Sequence, residues 1–412
     1  MPAEEEAALY RANTPDRFWR LLGPQPTAAE WAAAVTTAAA ELPAGARRSG
    51  LGIDAILSST LGEGQFGPGH WRLGLAKRAY YQLKPLLPRT LIKGMRQAHR
   101  GRAETGFPLS WPIEDRYAGF LVGIVRELLR GAGRESFEFI DFWPEGHAFA
   151  FVLTHDIETA EGQAHALEVA ALEARHGFRS SFNVVPERYP VDRGVIGELR
   201  ERGFEVGLHD LKHDGKLFNS RNGFARRAER INHHLDELGA AGFRAALTHR
   251  NPLWMQRLHV EYDLSFFDTD PYEPIPGGTM SLWPFQVGRF LELPYTLVQD
   301  NTLTSILGED GPRVWLEKVD FVSRHHGLAL VNSHPDYLKE PANRRVYERF
   351  LEAMAARQRT REAAWHCLPV EAARWWRSRA AAVSIEDLPG GAVAEVGQAG
   401  WPSVRSGSRR TA

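Results

Sequence analysis

From about residue 140 onward, short apolar runs alternate with segments of helical length, and this alternation constrains the fold more than any other feature of the chain. The apolar runs most typical of strands are residues 148–154, 180–185, 204–208, 245–248, 264–267, 290–293 and 328–332. Helical periodicity falls between them, at residues 164–175, 194–201, 223–238, 313–325 and 344–357. Strands that alternate with helices form right-handed βαβ units and a parallel sheet. Periodicity alone does not distinguish a closed barrel from an open sheet.

Polar residues at the ends of two of these runs indicate a reaction chemistry. Asp156 and Glu158 follow residues 148–154, and His209 and His213 follow residues 204–208. The carboxyl ends of parallel strands are where α/β enzymes place reactive side chains. His209 and His213 share one face if the segment turns helically, because four residues make about one turn. Two histidines and a glutamate form a metal site of the catalytic type, so the pattern predicts a hydrolase.

Two later segments complete a set of motifs. Residues 245–248 lead into Arg250, Pro252 and Trp254, and residues 328–332 lead into His334. In chain order the four motifs are Thr154-His-Asp-Ile-Glu158, His209-x3-His213, Arg250-x-Pro252-x-Trp254 and Val331-Asn-Ser-His334. With them, residues 148–377 resemble the polysaccharide deacetylase family (carbohydrate esterase family 4, the NodB-homology domain).

The first motif departs from the adjacent aspartates that are usual in the family. Here Ile157 separates the two acids and the second is a glutamate, which resembles a D-x-E subgroup. Residues i and i+2 of a strand point to the same side, so Asp156 and Glu158 can face one site. The same alternation sends His155 to the opposite face, and we do not expect it to be a ligand.

The resemblance implies a fold and a role for each motif residue. The fold is α/β, a distorted (β/α)7-type barrel with a helix-rich N-terminal region. Glu158, His209 and His213 would hold a divalent metal, zinc first, with Co²⁺, Mn²⁺ or Fe²⁺ as alternatives. Asp156 would act as general base on the attacking water. Arg250 would pair with Asp156 and keep it ionised, and His334 would act as general acid, since histidine titrates near neutral pH.

Four residues are predicted to contact a sugar. Trp254 and Trp283 would offer flat apolar faces, Pro252 belongs to the same motif as Trp254, and Asp270 lies in an acidic loop at residues 267–278. The predicted reaction is removal of an acetyl group, N-acetyl before O-acetyl, from an acetylated carbohydrate or glycan precursor. Two alternatives stay open: a hydrolase of cyclic amides or other C–N bonds on the same scaffold, and a carbohydrate-binding protein without turnover.

Length and composition divide the chain and exclude some partners. The 412 residues suit a large domain with a smaller one, and we predict a helix-rich region at 1–140, the barrel at 141–385 and a disordered tail at 386–412. A net charge of −1 gives no case for nucleic acid. The single cysteine, Cys367, excludes a disulfide framework and a multi-thiolate zinc site. The N-terminus lacks a signal-peptide pattern and no apolar run is long enough to span a membrane, so we expect a cytoplasmic protein.

Residues 72–102 form a basic stretch with interleaved leucines and without acidic residues. Such a segment is a candidate for peripheral contact with an anionic membrane surface. Pro85 and Pro88 interrupt any long helix there. The alternative interpretation is a solvated helix whose leucines pack on the barrel.

Overall fold

A computed structural model describes residues 2–47, 52–72, 74, 103–360 and 362–401 of the chain. The basic stretch at 72–102, for which membrane contact is predicted, lies outside these residues except for Arg72 and Gly74. In the described parts of the chain, no helix is both long enough and apolar enough to cross a membrane.

The regular elements described between residues 2 and 132 are helical. They are α1 (Pro2–Ala8), α2 (Pro15–Trp19), α3 (Ala28–Ala38), α4 (Ala44–Arg47), α5 (Ile53–Thr60) and α6 (Arg116–Ala132). Helix α3 begins at a capping box in which Thr27 and Glu30 satisfy each other's backbone N–H groups. Helix α6 buries an apolar stripe that includes Phe120 and Ile124, and it ends at Gly133, which takes the left-handed conformation.

The strands and the remaining helices follow the predicted alternation. The strands are β1 (Ser136–Ile140), β2 (Ala150–Ile157), β3 (Ser180–Val184), β4 (Glu205–His209), β5 (Gly242–Arg244), β6 (Tyr262–Asp263), β7 (Phe285–Val287), β8 (Phe290–Glu292), β9 (Leu328–Ser333), β10 (Trp365–His366) and β11 (Val393–Gly397). The helices are α7 (Ala160–Arg175), α8 (Arg193–Glu201), α9 (Arg221–Leu238), α10 (Pro252–Met255), α11 (Arg313–Arg324), α12 (Pro335–Leu338), α13 (Pro341–Arg357) and α14 (Pro369–Ala381).

One curled sheet carries the barrel. Its strands lie in the order β10-β2-β3-β4-β5-β6-β8-β7, and β9 pairs with β2. Every pairing is parallel except that of β7 with β8. The chain after β8 returns beside β9, where Thr296 N donates to Leu330 O at 3.1 Å and Leu297 bridges Val331. The sheet therefore curls back on itself, which confirms the predicted distorted (β/α) barrel.

Two predicted strands are displaced. Residues 245–248 were predicted as a strand, but β5 ends at Arg244 and Ala246–Thr248 forms a 3-10 turn. Leu247 and Thr248 adopt φ values of 59° and 52°, which a strand cannot accommodate. The strand predicted at 264–267 lies earlier in the chain, at Tyr262–Asp263, and includes none of the predicted residues. Because β5 ends at Arg244, it is the side chain of Arg244 that reaches Asp156 in the barrel interior.

The prediction of a disordered tail from residue 386 is wrong for the part that the structure describes. Strand β11 pairs antiparallel with β1, and Val396 is fully buried. Trp401 stacks on Trp19 and Trp283 with ring centroids 5.4 and 4.9 Å apart. Strand pairing and aromatic burial offset the glycine and serine content on which the prediction rested. Residues 402–412 lie outside the description, and the other domain boundaries stay predictions.

The N-terminal region covers the edge of the barrel sheet at β7. The Asn13 side chain donates to Gln286 O at 2.8 Å and accepts from Gln286 N at 2.7 Å. One amide side chain thus satisfies both backbone groups of a residue in the edge strand. Exposed strand edges are sites of unwanted pairing, and a covered edge removes that hazard.

Glu205, at the start of β4, should make the protein less stable as the pH rises. Its carboxyl accepts hydrogen bonds from Tyr262 Oη at 2.6 Å and Val370 N at 3.1 Å, and burial raises its pKa to about 7. The folded protein keeps a proton that the unfolded chain loses above its lower pKa, so stability falls between about pH 4.5 and pH 7. Glutamine at this position has no titrating proton. Over this pH window the free energy of unfolding of Glu205→Gln should therefore fall by roughly 2 kcal/mol less than that of wild type. Urea unfolding at pH 5 and pH 8 measures this, and equal pH dependence in both proteins would contradict it.

Candidate active site

Asp156 lies near the carboxyl end of β2 and is held by side chains from three other strands. Its Oδ1 accepts hydrogen bonds from Asn183 Nδ2 and Arg244 Nη1, both at 3.0 Å, and its Oδ2 accepts from Asn332 Nδ2 at 2.9 Å. The residue is 2% exposed. Burial alone would raise the pKa of Asp156, but the Arg244 guanidinium holds it well below its usual value. The carboxylate is therefore ionised and fixed in orientation.

Arg244 connects this carboxylate to its surroundings. Its Nη1 also donates to Asn332 Oδ1 at 2.6 Å, its Nη2 to Thr154 Oγ1 at 3.0 Å and its Nε to Leu264 O at 2.8 Å. The packing around this network leaves no room for a side chain at Gly207, where a Cβ would lie 2.3 Å from Asn183 Oδ1. Glycine at this position lets the Asn183 amide reach Asp156.

Arg250 does not pair with Asp156, so that prediction is wrong. Its Nε donates to Glu63 Oε2 at 2.9 Å and its Nη1 to Thr248 O at 2.7 Å. Its guanidinium lies 4.7 Å from the centre of the Phe266 ring. Because β5 ends at Arg244, the turn after it carries Arg250 away from the carboxyl end of β2. Arg250 instead joins the barrel to a carboxylate of the N-terminal region.

Glu158, His209 and His213 come together as predicted. One potential ligand atom from each residue lies within 4.8 Å of the others, and the two imidazole centroids are 4.9 Å apart. The segment does not form the helical turn that the spacing suggested. Asp210 and His213 adopt φ values of 59° and 52°, and this tight turn after β4 brings His213 beside His209.

The chemistry of these three side chains fits a divalent cation. His209 Nδ1 lies 3.2 Å from Arg244 O, a partner that leaves Nε2 as the ligand atom. Burial lowers the pKa of His209 to about 4 despite the nearby Asp156, so the ring is neutral at pH 7. Two imidazoles and a carboxylate with further positions open are the ligands of catalytic zinc sites.

Glu158 and His213 are also reachable from solvent. Their side chains are 25% and 11% exposed, and Glu158 Oε1 lies 2.9 Å from His213 Nε2. Burial alone would raise the pKa of Glu158, but His213 holds it well below its usual value. The pKa of His213 is raised, because the Glu158 carboxylate outweighs burial and the opposing charge of Arg188.

His334 follows β9 and is oriented by Asp300. Its Nδ1 lies 2.7 Å from Asp300 Oδ1, and its backbone N donates to Asp300 Oδ2 at 2.8 Å. Its Nε2 lies 4.0 Å from Glu158 Oε1, on the side of the candidate metal ligands. Burial alone would lower the pKa of His334, but Asp300 raises it to about 10. The imidazole therefore carries a proton at neutral pH and can donate it.

Three of the four predicted sugar contacts are buried. Trp283 is 1% exposed and its Nε1 donates to His326 O at 2.9 Å, so it belongs to the core. Asp270 is also 1% exposed and accepts from Tyr272 N at 2.7 Å. Burial raises the pKa of Asp270 well above its usual value. Pro252 is buried as well, whereas Trp254 is half-buried and packs against Trp71.

His155 points to the opposite face of β2, as the alternation predicts. Its Nδ1 lies 2.8 Å from Ser333 Oγ and its Nε2 lies 2.7 Å from Glu173 Oε1. The three residues are fully buried, so no substrate reaches this serine and histidine. His155 and Ser333 are opposite each other in the ladder of β2 and β9. Their hydrogen bond agrees with this register, in which Asp156 and His334 are the next residue of each segment.

Solved structures similar to this chain include polysaccharide deacetylases, as the motifs predict. One of them, from Mycobacterium smegmatis, is assigned as a polysaccharide deacetylase and is 16% identical to this chain. The match covers 57% of this chain and 93% of the other, with a TM-score of 0.47. Puue allantoinase is 17% identical over 57% and 92%, with a TM-score of 0.45. A protein of Pseudomonas aeruginosa PAO1, also assigned to the polysaccharide deacetylases, is 16% identical over 57% and 93%, with a TM-score of 0.44. No protein-family model and no curated protein sequence matches the chain.

Proposed function

We propose that the protein is a metal-dependent hydrolase that removes an acetyl group, N-acetyl before O-acetyl, from a sugar or glycan precursor. The observation that carries the proposal is the convergence of three kinds of group at one end of the barrel. These are an ionised aspartate (Asp156), a cluster suited to a cation (Glu158, His209 and His213) and a protonated histidine (His334). Metal-assisted hydrolysis of an amide needs a base, a Lewis acid and an acid.

The side chains divide the proton transfers between them. A divalent cation held by Glu158, His209 and His213 would polarise the acetyl carbonyl and lower the pKa of a bound water; zinc is our first choice, with Co²⁺, Mn²⁺ or Fe²⁺ as alternatives. Asp156 accepts a proton from the attacking water through Oδ2, which has one protein hydrogen-bond donor where Oδ1 has two. His334 gives a proton to the departing nitrogen, and Asp300 holds its ring for that transfer.

Acetate release tests the proposal directly. The purified protein, supplied with zinc, cobalt or manganese, is incubated with oligomers of N-acetylglucosamine, an O-acetylated xylan and a cyclic amide such as allantoin. We expect acetate from an acetylated carbohydrate and loss of that activity in Asp156→Asn. Hydrolysis of the cyclic amide alone would replace the deacetylase proposal with the C–N hydrolase alternative. Binding of a carbohydrate without any turnover would favour the binding protein.

Asp300→Asn should slow the reaction without removing the metal. An amide at this position no longer stabilises the protonated ring of His334, because the opposing carboxylate charge is lost. We expect acetate release to fall by about 10²-fold, the lower end of what general acid–base catalysis contributes. Metal content should match wild type, since Asp300 contacts none of the three predicted ligands through a hydrogen bond among the described residues. Loss of metal together with activity would instead make Asp300 a structural residue of the metal site.

A further inference from the structure

The loop after β3 is attached to both segments that carry the candidate metal ligands. Tyr189 Oη donates to Ile157 O at 2.6 Å, immediately before Glu158. Glu187 N donates to Leu211 O at 3.0 Å, two residues before His213. Arg188 lies between these two attachment points in the loop, one residue from each. This places Arg188 at the rim of the candidate site.

Among the described residues, the acidic side chains nearest Arg188 are already paired with other groups. The neighbouring Glu187 carboxylate is occupied by Arg230, whose Nε lies 2.9 Å away, and by His234 at 3.3 Å and Lys212 at 3.8 Å. Asp336, another acid whose charge acts on this loop, accepts from Glu158 N at 3.1 Å and from Thr159 Oγ1. Arg188 itself is exposed, and within the described residues its side chain forms no ion pair or hydrogen bond.

An arginine in this position is suited to bind an anion. Its planar guanidinium donates parallel hydrogen bonds to phosphate or carboxylate oxygens. A surface arginine held by a carboxylate would first have to break that pair, whereas Arg188 has no such competitor among the described side chains. We propose that Arg188 binds an anionic group, a phosphate or a carboxylate, of the acetylated sugar, so that the preferred substrates are negatively charged. That the ligand is an acetylated sugar rests on the proposed function, whereas the binding of an anion by Arg188 does not.

Binding measurements separate the anion from the reaction. The metal-supplied protein is titrated calorimetrically with N-acetylglucosamine, N-acetylglucosamine 6-phosphate and N-acetylmuramic acid, which carry no charge, a phosphate and a carboxylate. We expect at least one charged sugar to bind about five- to tenfold more tightly than the neutral one. In Arg188→Gln this ratio should fall to about one, and Arg188→Lys should restore part of it. The charged sugar that binds more tightly shows whether Arg188 prefers a phosphate or a carboxylate.

Arg226→Gln is the matched control. Arg226 is an exposed arginine of helix α9, so its replacement changes the net charge equally. The control should keep the preference for the charged sugar, and higher salt should weaken that preference in wild type more than in Arg188→Gln. Arg188 lies on the surface, so its variants should fold, and circular dichroism verifies this.

Four outcomes are distinguishable. Equal affinity of wild type for charged and neutral sugars, or a preference that persists in Arg188→Gln, overturns the role of Arg188. Equal loss in Arg226→Gln overturns it too, since bulk charge would then explain the effect. If the wild-type protein releases acetate, each of these three results overturns only the role of Arg188, and the proposed function stands. A preference that depends on Arg188 without acetate release from any sugar supports the anion site and overturns the deacetylase.

Discussion

Arg244→Met should destabilise the protein by about 3–5 kcal/mol, because removing one partner leaves the other charge buried without compensation. Asp156 would keep only the Asn183 and Asn332 amides as hydrogen-bond donors, and its pKa should rise toward or above the usual value. We expect acetate release to fall at least about 10²-fold, since a misdirected or protonated aspartate cannot act as the base. Chemical denaturation gives the stability, and assays under conditions where the variant is folded give the rate.

Arg250→Met is the matched control for this variant. It also removes a buried arginine from a carboxylate, in this case Glu63, so a stability loss of similar size, about 3–5 kcal/mol, is expected. Acetate release by the folded fraction should change far less than in Arg244→Met, because Arg250 has no contact with Asp156. If Arg250→Met instead lost activity while Arg244→Met kept it, the pairing seen in the structure would be wrong and the motif-based assignment right.

Wild-type protein should bind about one divalent metal ion per chain, and His209→Ala with His213→Ala should abolish this binding. Removing two of three ligands leaves a single carboxylate, which does not hold such an ion tightly. Acetate release should then fall to background. Mass spectrometry of untagged protein measures the metal content. Zinc should also raise the unfolding temperature of wild type but not of the double variant, because a ligand of the native state stabilises it.

His233→Ala with His259→Ala is the control for this double variant. Both residues are exposed and lie outside the candidate site, so metal content and activity should stay at wild-type values. Wild-type protein that takes up no zinc, cobalt or manganese would contradict the proposed hydrolase. The carbohydrate-binding alternative would then be the better interpretation.

The members of the candidate site that could be predicted are those marked by a local pattern. Asp156 lies near the end of β2 and Glu158 directly follows that strand, so the i, i+2 alternation shows that they share a face. His209 ends β4 and His334 directly follows β9. The parallel strand–helix arrangement could be predicted from the alternation of apolar runs and helical segments, whereas the barrel was implied by the family resemblance. A local pattern does not show which residues distant in sequence come into contact, and the remaining wrong predictions concern such contacts.

The partner of Asp156 illustrates this limit. Arg244 and Arg250 are six residues apart, and the choice between them depends on where β5 ends. That end is set by a turn with two residues of positive φ, which apolar content does not reveal. Asp300 was missed because it follows no strand and belongs to no motif. Trp283 was misassigned because aromatic content does not separate a core residue from a sugar-binding face; its burial depends on Trp401 and other residues distant in sequence.

The pairing of Glu63 with Arg250 bears on how the chain can be divided in the laboratory. A fragment that begins near residue 140 would keep Arg250 between Phe266 and Phe267 but lose the carboxylate that compensates its charge. It would also lose Asn13 and so uncover the backbone of Gln286 in the edge strand. The N-terminal region therefore supplies polar contacts that complete the barrel, and we expect an isolated barrel fragment to be a poor substitute for the full chain in activity measurements.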